Sequence, residues 1–173
     1  LFKIAAVPLH FWLPDVYEGA PAPVTGFMAA GVKTAAFAVL IKFLYIGYTG
    51  DPTESDPADP LLHAPFDRVI VIFACLTMLI PNLIALRQTS VKRILAYSSI
   101  AHAGYMLVGV RAMSSSRDML GDPAVAALLY YLMVYGIMTV GAFIIVGRLT
   151  GDEKEGSSLD ALNGLGYDKP FLS

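Results

Sequence analysis

Residues 23–48 read PVTGFMAAGVKTAAFAVLIKFLYIGY, an apolar run whose only charges are Lys33 and Lys42. A helix rises 1.5 Å per residue, so about 20 residues cross a hydrocarbon core of about 30 Å. The run is long enough. Within a bilayer every backbone polar group must be satisfied internally, which leaves only helices and closed barrels, and a continuous apolar run selects the helix. Three further segments meet the same length: Asp67 to Arg87, Ser90 to Met113 and Pro123 to Arg148. The composition agrees, since 56% of the 173 residues are hydrophobic and only 15% are charged, where soluble chains carry about 25%. Mean hydropathy is +0.62. The expected fold is all-α, a polytopic transmembrane helix bundle.

The chain divides accordingly. Residues 1–14 are too short to cross and are expected to be the second half of a broken transmembrane helix, followed by a cytoplasmic turn over 15–22 and a span over 23–48. An external loop over 49–66 leads to a span over 67–87, and a cytoplasmic turn with its span occupies 88–113. An external loop over 114–122, a span over 123–148 and a cytoplasmic loop over 149–173, leading to a truncated next helix, complete the expectation. Pro23 suits a helix's first turn, and Thr89 and Ser90 offer N-cap oxygens. Orientation follows from loop charge. Asp51, Glu54, Asp56, Asp59 and Asp67 crowd one connection without lysine or arginine, whereas Arg87, Lys92 and Arg93 flank the next without acid; the basic connection belongs inside. Because the chain begins with Leu1 in apolar sequence, it reads as an internal piece of a longer protein.

Several function classes fall away. A formal net charge of −2 leaves no basic excess for a nucleic-acid backbone. Cys75 is the single cysteine, so this chain alone offers neither an intrachain disulfide nor a cysteine-ligated iron–sulfur cluster. No GxGxxG, Walker loop, HExxH or paired-cysteine motif occurs.

What remains is buried charge. Lys33 lies about ten residues into its span, roughly 15 Å below the cytoplasmic face, and Lys3 and His102 each fall roughly 18 Å from that face. A charge at a helix centre costs about 2.5–3.5 kcal/mol on insertion scales and usually faces a protein interior or cavity. Lys3, Lys33 and His102 are therefore candidate proton-transfer residues. Structural roles stay open: a midplane lysine also serves as ion-pair partner to an acid on another helix, and a membrane histidine as an ordinary hydrogen-bonding group. Ser98 at i−4 and Tyr105 at i+3 place a Ser–His–Tyr stripe along one helix face with His102. Tyr135 and Thr139 form a second polar i, i+4 pair, although Tyr130, Tyr131 and Tyr135 equally suit packing. Lys42, about 180° around from Lys33, is an interfacial anchor.

The junction HFWLPDVYEGAPAPV, residues 10–24, carries His10, Asp15 and Glu18. Trp12 suits an interfacial belt. Gly19, Pro21 and Pro23 force a tight re-entry, and the positive N-terminal dipole of the following helix favours the two acids nearby.

FKIAAVPLHFWLPDVYEGAPAPVTGFMAAGVKTAAF (residues 2–37) and QTSVKRILAYSSIAHAGYMLVG (residues 88–109) closely resemble subunit N of proton-pumping NADH–quinone oxidoreductase, respiratory complex I. The likeness runs to about Arg148 and loosens in the tail. That family is similar in turn to the membrane subunits of Mrp-type sodium/proton antiporters, which share the PLHxWLPD pattern in looser form. The resemblance implies a piece of a fourteen-helix antiporter-like fold with inverted repeats, running from the broken seventh helix through the eleventh. It places Lys3 on the broken helix, Lys33 on the eighth, and His102 on the tenth. It also implies proton movement coupled to quinone reduction elsewhere, with no cofactor bound by this chain. FMN, iron–sulfur clusters and quinone would belong to other subunits. The implied partners are other membrane subunits, the lipid bilayer and protons, and the implied location is a bacterial inner membrane. An Mrp-type cation/proton antiporter subunit and a non-transporting membrane scaffold are the alternatives.

Overall fold

The computed structural model describes residues 1–49, 60–113, 121–150 and 158–159. Its helices are α1 (Trp12–Gly19), α2 (Ala22–Phe27), α3 (Lys33–Thr49), α4 (Pro60–Ala85), α5 (Val91–Arg111) and α6 (Pro123–Thr150), and a π-helical turn, Met28–Val32, joins α2 to α3 without a break. The expected loops over 49–66, 114–122 and 149–173 fall largely outside the described residues.

The start of the chain differs from expectation. Residues 1–11 form turns, and the helix comes later, crossing the segment expected as a turn over 15–22. Pro8 is the physical reason: it lacks an N–H, its ring opposes a helix, and it disfavours the α conformation at Val7. Ala5 sits in the left-handed region at φ 60. The freed backbone is nonetheless bonded. Ala5 N–H donates to Phe2 O at 2.9 Å, Leu9 N–H to Ala6 O at 2.7 Å, and Val7 N–H crosses to Thr77 Oγ1 on α4 at 3.0 Å. Ile4, Ala5, Ala6 and Val7 are all buried, so the middle of the irregular stretch lies inside protein, where a bilayer tolerates it, while Leu1, Phe2, Leu9 and Phe11 are exposed. Helix α1 begins where Pro14 fits a first turn and ends at Gly19, because Ala20 must be extended ahead of Pro21.

Among the described residues, three helices are long and apolar enough to cross a membrane: Ala22–Leu44, Arg68–Ala85 and Pro123–Leu149. Helix α4 itself starts earlier, at Pro60. Helix α5 has 21 residues, about 31 Å of rise, but is less apolar, carrying Lys92, Arg93, Ser98, Ser99, His102 and Arg111. It packs against α1, α4 and α6, and a helix so surrounded can carry polar residues that a lipid-facing one cannot. Its contact with α4 is close: a Cβ on Gly104 would meet Met78 Cγ at 2.7 Å, Met78 N at 2.9 Å and Ala74 O at 3.1 Å.

Two apolar clusters form the core. One gathers Ile4, Phe37, Met106, Leu107, Leu128 and neighbours; the other gathers Leu13, Tyr17, Ala96, Ile100 and Phe143. Outward, Phe27, Val39, Phe43, Leu79, Met133 and Ile137 are exposed, as in a helix face meeting an apolar surround.

One end of the bundle is tied by polar contacts. Arg93 on α5 bonds both Asp15 and Glu18 of α1, while Ser90 pairs with Ser158 and Leu159 N–H donates to Thr89 O at 2.9 Å. The α1–α2 junction, the α4–α5 turn and the chain after α6 therefore share one end. Ser90 occupies the N-cap of α5, yet its hydroxyl makes no cap bond and is buried without a partner among the described residues; the expected side-chain cap is replaced by backbone pairing. At the other end Asp122 Oδ1 accepts from Ala124 N–H at 2.8 Å, capping α6.

Candidate functional site

Lys33 begins α3 immediately after the π-helical turn. Such turns are rare and widen the helix locally, shifting the face that the following residues present. Its side chain enters the bundle and is 2% exposed. The Nζ donates to the Ser99 carbonyl at 2.6 Å and to Ser99 Oγ at 2.5 Å, and lies 5.7 Å from the Tyr135 ring centroid. Among the described residues, no carboxylate reaches it; the ion pairs there are those of Arg93 with Asp15 and Glu18. Neutral oxygens and an aromatic face hold the charge.

Around Ser99 three helices converge. The Tyr135 hydroxyl on α6 and Ser99 Oγ share a hydrogen bond of 2.8 Å. Tyr17 on α1 meets Phe143 edge-on at 5.8 Å between centroids. His102, half-buried one turn beyond Ser99, pairs its Nδ1 with the Tyr131 hydroxyl at 2.6 Å. Its ring lies 5.1 Å from that of Tyr135 and 5.6 Å from that of Tyr105. Lys33 and His102 thus meet across one tyrosine.

The other candidates sit as follows. Lys3 is exposed and borders an open groove of about 460 Å³ along Val32, Ala36 and Leu40; it flanks the turn carrying Lys33 but stands on another face of that helix. Lys42 is exposed, away from the cluster. Ser98 is half-buried and makes no hydrogen bond to a described residue, so the polar contact on this face belongs to Ser99. His10 is half-buried with Nδ1 unpartnered among the described residues, as is Trp12 Nε1. Trp12 stacks on Phe2 at 5.3 Å. Asp15 and Glu18 are held by Arg93, with Glu18 Oε2 accepting from Arg93 Nε at 2.7 Å. Ser99, Tyr131 and Arg93 are the participants that sequence reasoning missed. A single residue of helical rotation, 100°, separates Ser98 from Ser99, and nothing in the sequence sets that angle.

The bundle thus combines an inward lysine, a break at Pro8 and a polar central helix. All of residues 1–173 match the family described as "NADH:quinone oxidoreductase/Mrp antiporter, TM". The chain belongs to this family. Subunit N of NADH-quinone oxidoreductase from Geobacillus kaustophilus is 46% identical over 173 residues, which is 99% of this chain and 33% of the relative. A chain of respiratory complex I from Thermus thermophilus, solved with bound Aureothin, matches at TM-score 0.70 and 37% identity, covering 99% of this chain and 32% of that one. A chain of the Mrp complex from Dietzia sp. DQ12-45-1b shares the fold at TM-score 0.77, with 22% identity and coverage of 99% and 28%. The chain spans about a third of the length of the curated relatives it matches. Membership in a membrane family accounts for helices that expose apolar faces.

Proposed function

We propose that this chain is part of a subunit N-type, proton-translocating membrane subunit of NADH–quinone oxidoreductase, and that Lys33 takes up and releases the translocated proton. One observation carries the reading: a lysine 2% exposed within a membrane-length column, held by uncharged oxygens. A lysine in such a place is a compact charge whose proton affinity answers to charges moved nearby. His102, linked to Lys33 through Tyr135, continues the path on one side, and Lys3, beside the same turn, on the other. Moving a proton against 100 mV costs about 2.3 kcal/mol; quinone reduction in other subunits supplies it. This chain itself is non-redox, with FMN, iron–sulfur clusters and quinone held elsewhere, and it works among other membrane subunits in a bacterial inner membrane. The relatives named subunit N support this above the Mrp-type alternative, whose likeness is one of fold.

The test is Lys33→Ala in the full complex. Proton pumping and coupled quinone reduction should fall while assembly persists, and Lys33→Arg should not restore them, because guanidinium does not release its proton near neutral pH. Unchanged pumping at normal assembly would sink the role of Lys33.

A further inference from the structure

Ser99 stands between two titratable side chains. Its Oγ lies 2.5 Å from Lys33 Nζ and 2.8 Å from the Tyr135 hydroxyl. A hydroxyl with one proton and two lone pairs can donate to either partner while accepting from the other. Ser99, Lys33 and Tyr135 are 2%, 2% and 3% exposed, so bulk water does not compete for these bonds.

The donor inventory allows two arrangements of the same heavy atoms. An ammonium donates three hydrogens and accepts none. With Lys33 charged, Nζ therefore donates to both Ser99 oxygens, the Ser99 proton points to the Tyr135 oxygen, and the Tyr135 proton points onward. The neutral amine has a lone pair. With Lys33 neutral, Ser99 donates back to Nζ, Tyr135 donates to Ser99, and one amine hydrogen keeps the carbonyl bond.

We propose that Ser99 is a proton-relay residue joining Lys33 to Tyr135, and that the hydrogen bonds through Ser99 and Tyr135 reverse direction when Lys33 loses its proton. The proposal rests on the proton-carrying role of Lys33 given above. An N–H bond of Lys33 breaks as an O–H bond forms at Ser99 Oγ. The original Ser99 proton passes to the Tyr135 oxygen, and the original Tyr135 proton passes to water on the His102 side. Ser99 and Tyr135 finish neutral and chemically unchanged, Lys33 is one proton poorer, and the water is one proton richer. The arrangement left behind is the one described for neutral Lys33.

The experiment measures protons pumped per quinone reduced by the intact complex in membrane vesicles, with assembly followed on native gels. Ser99→Ala deletes the hydroxyl, and Tyr135→Phe deletes the next member. Each should lower pumping by a factor of about ten or more, the order expected when an acid–base partner is lost. The double variant should fall no further, because both changes cut one path, and Ser99→Thr should recover to within about twofold. Wild-type pumping in assembled Ser99→Ala, or a double variant that multiplies the two defects, overturns the relay. The single and double variants decide the matter even where Ser99→Thr assembles poorly. Lys33→Ala run alongside separates the two readings: a defect there with normal Ser99→Ala removes the relay alone, while normal pumping in Lys33→Ala removes the function beneath it.

Discussion

Thr77→Val tests how the broken start of the chain is held. Thr77 is fully buried on α4, and its Oγ1 accepts the Val7 N–H at 3.0 Å from a residue that is itself 4% exposed. Valine keeps the shape and removes the acceptor, stranding a buried donor at a cost of about 1–3 kcal/mol. At 1.4 kcal/mol per factor of ten, that raises local opening of residues 1–11 by about 5- to 150-fold. Amide hydrogen exchange in the purified complex, read by mass spectrometry on peptides covering those residues, measures the opening directly. Thr77→Ser retains the oxygen and loses only a methyl group, so its exchange over the same peptide should stay within about threefold of the parent. Because Lys3 lies on this stretch, beside the turn that carries Lys33, proton pumping should fall in Thr77→Val more than in Thr77→Ser. Equal exchange in the valine variant and the parent would refute the argument that this bond holds the break.

Gly104→Ala should weaken assembly, since its Cβ would meet backbone atoms of α4 at 2.9 and 3.1 Å; overpacking costs about 1–3 kcal/mol, read as a lower thermal midpoint of the purified complex, and an unchanged midpoint would mean that α4 and α5 are less tightly apposed. In a Cys75→Ser background, Thr89→Cys, at an exposed position in the α4–α5 turn, should react with a membrane-impermeant thiol reagent from the cytoplasm and Thr53→Cys from outside; the opposite pattern would invert the orientation.

The class of this protein was legible without coordinates because a bilayer leaves little choice. Apolar runs of about 20 residues must be helical, and the helices α4, α5 and α6 fall on the stretches that hydropathy marks. Residues 1–14 read as part of a broken helix, but nothing local said that the turn would persist to Phe11 or that α1 would follow it, since those depend on Thr77 and on the packing of Leu13 and Tyr17.

Lys33 stood out in sequence for an energetic reason: a charge amid apolar residues must find shelter. What shelters it was not legible. Ser98 and Ser99 are adjacent and chemically identical, and only the rotation of α5 against α3 and α6 puts the Ser99 oxygens on Nζ. Tyr131 and Tyr135 differed in sequence only in their neighbours, yet one bonds His102 and the other Ser99. Arg93 read as a loop charge marking the cytoplasmic side until the fold brought α1 within reach and joined it to Asp15 and Glu18. Hydrophobicity along the chain determines which segments enter the membrane and at what depth a charge lies; the angles between packed helices, which no local pattern encodes, decide which oxygen that charge meets.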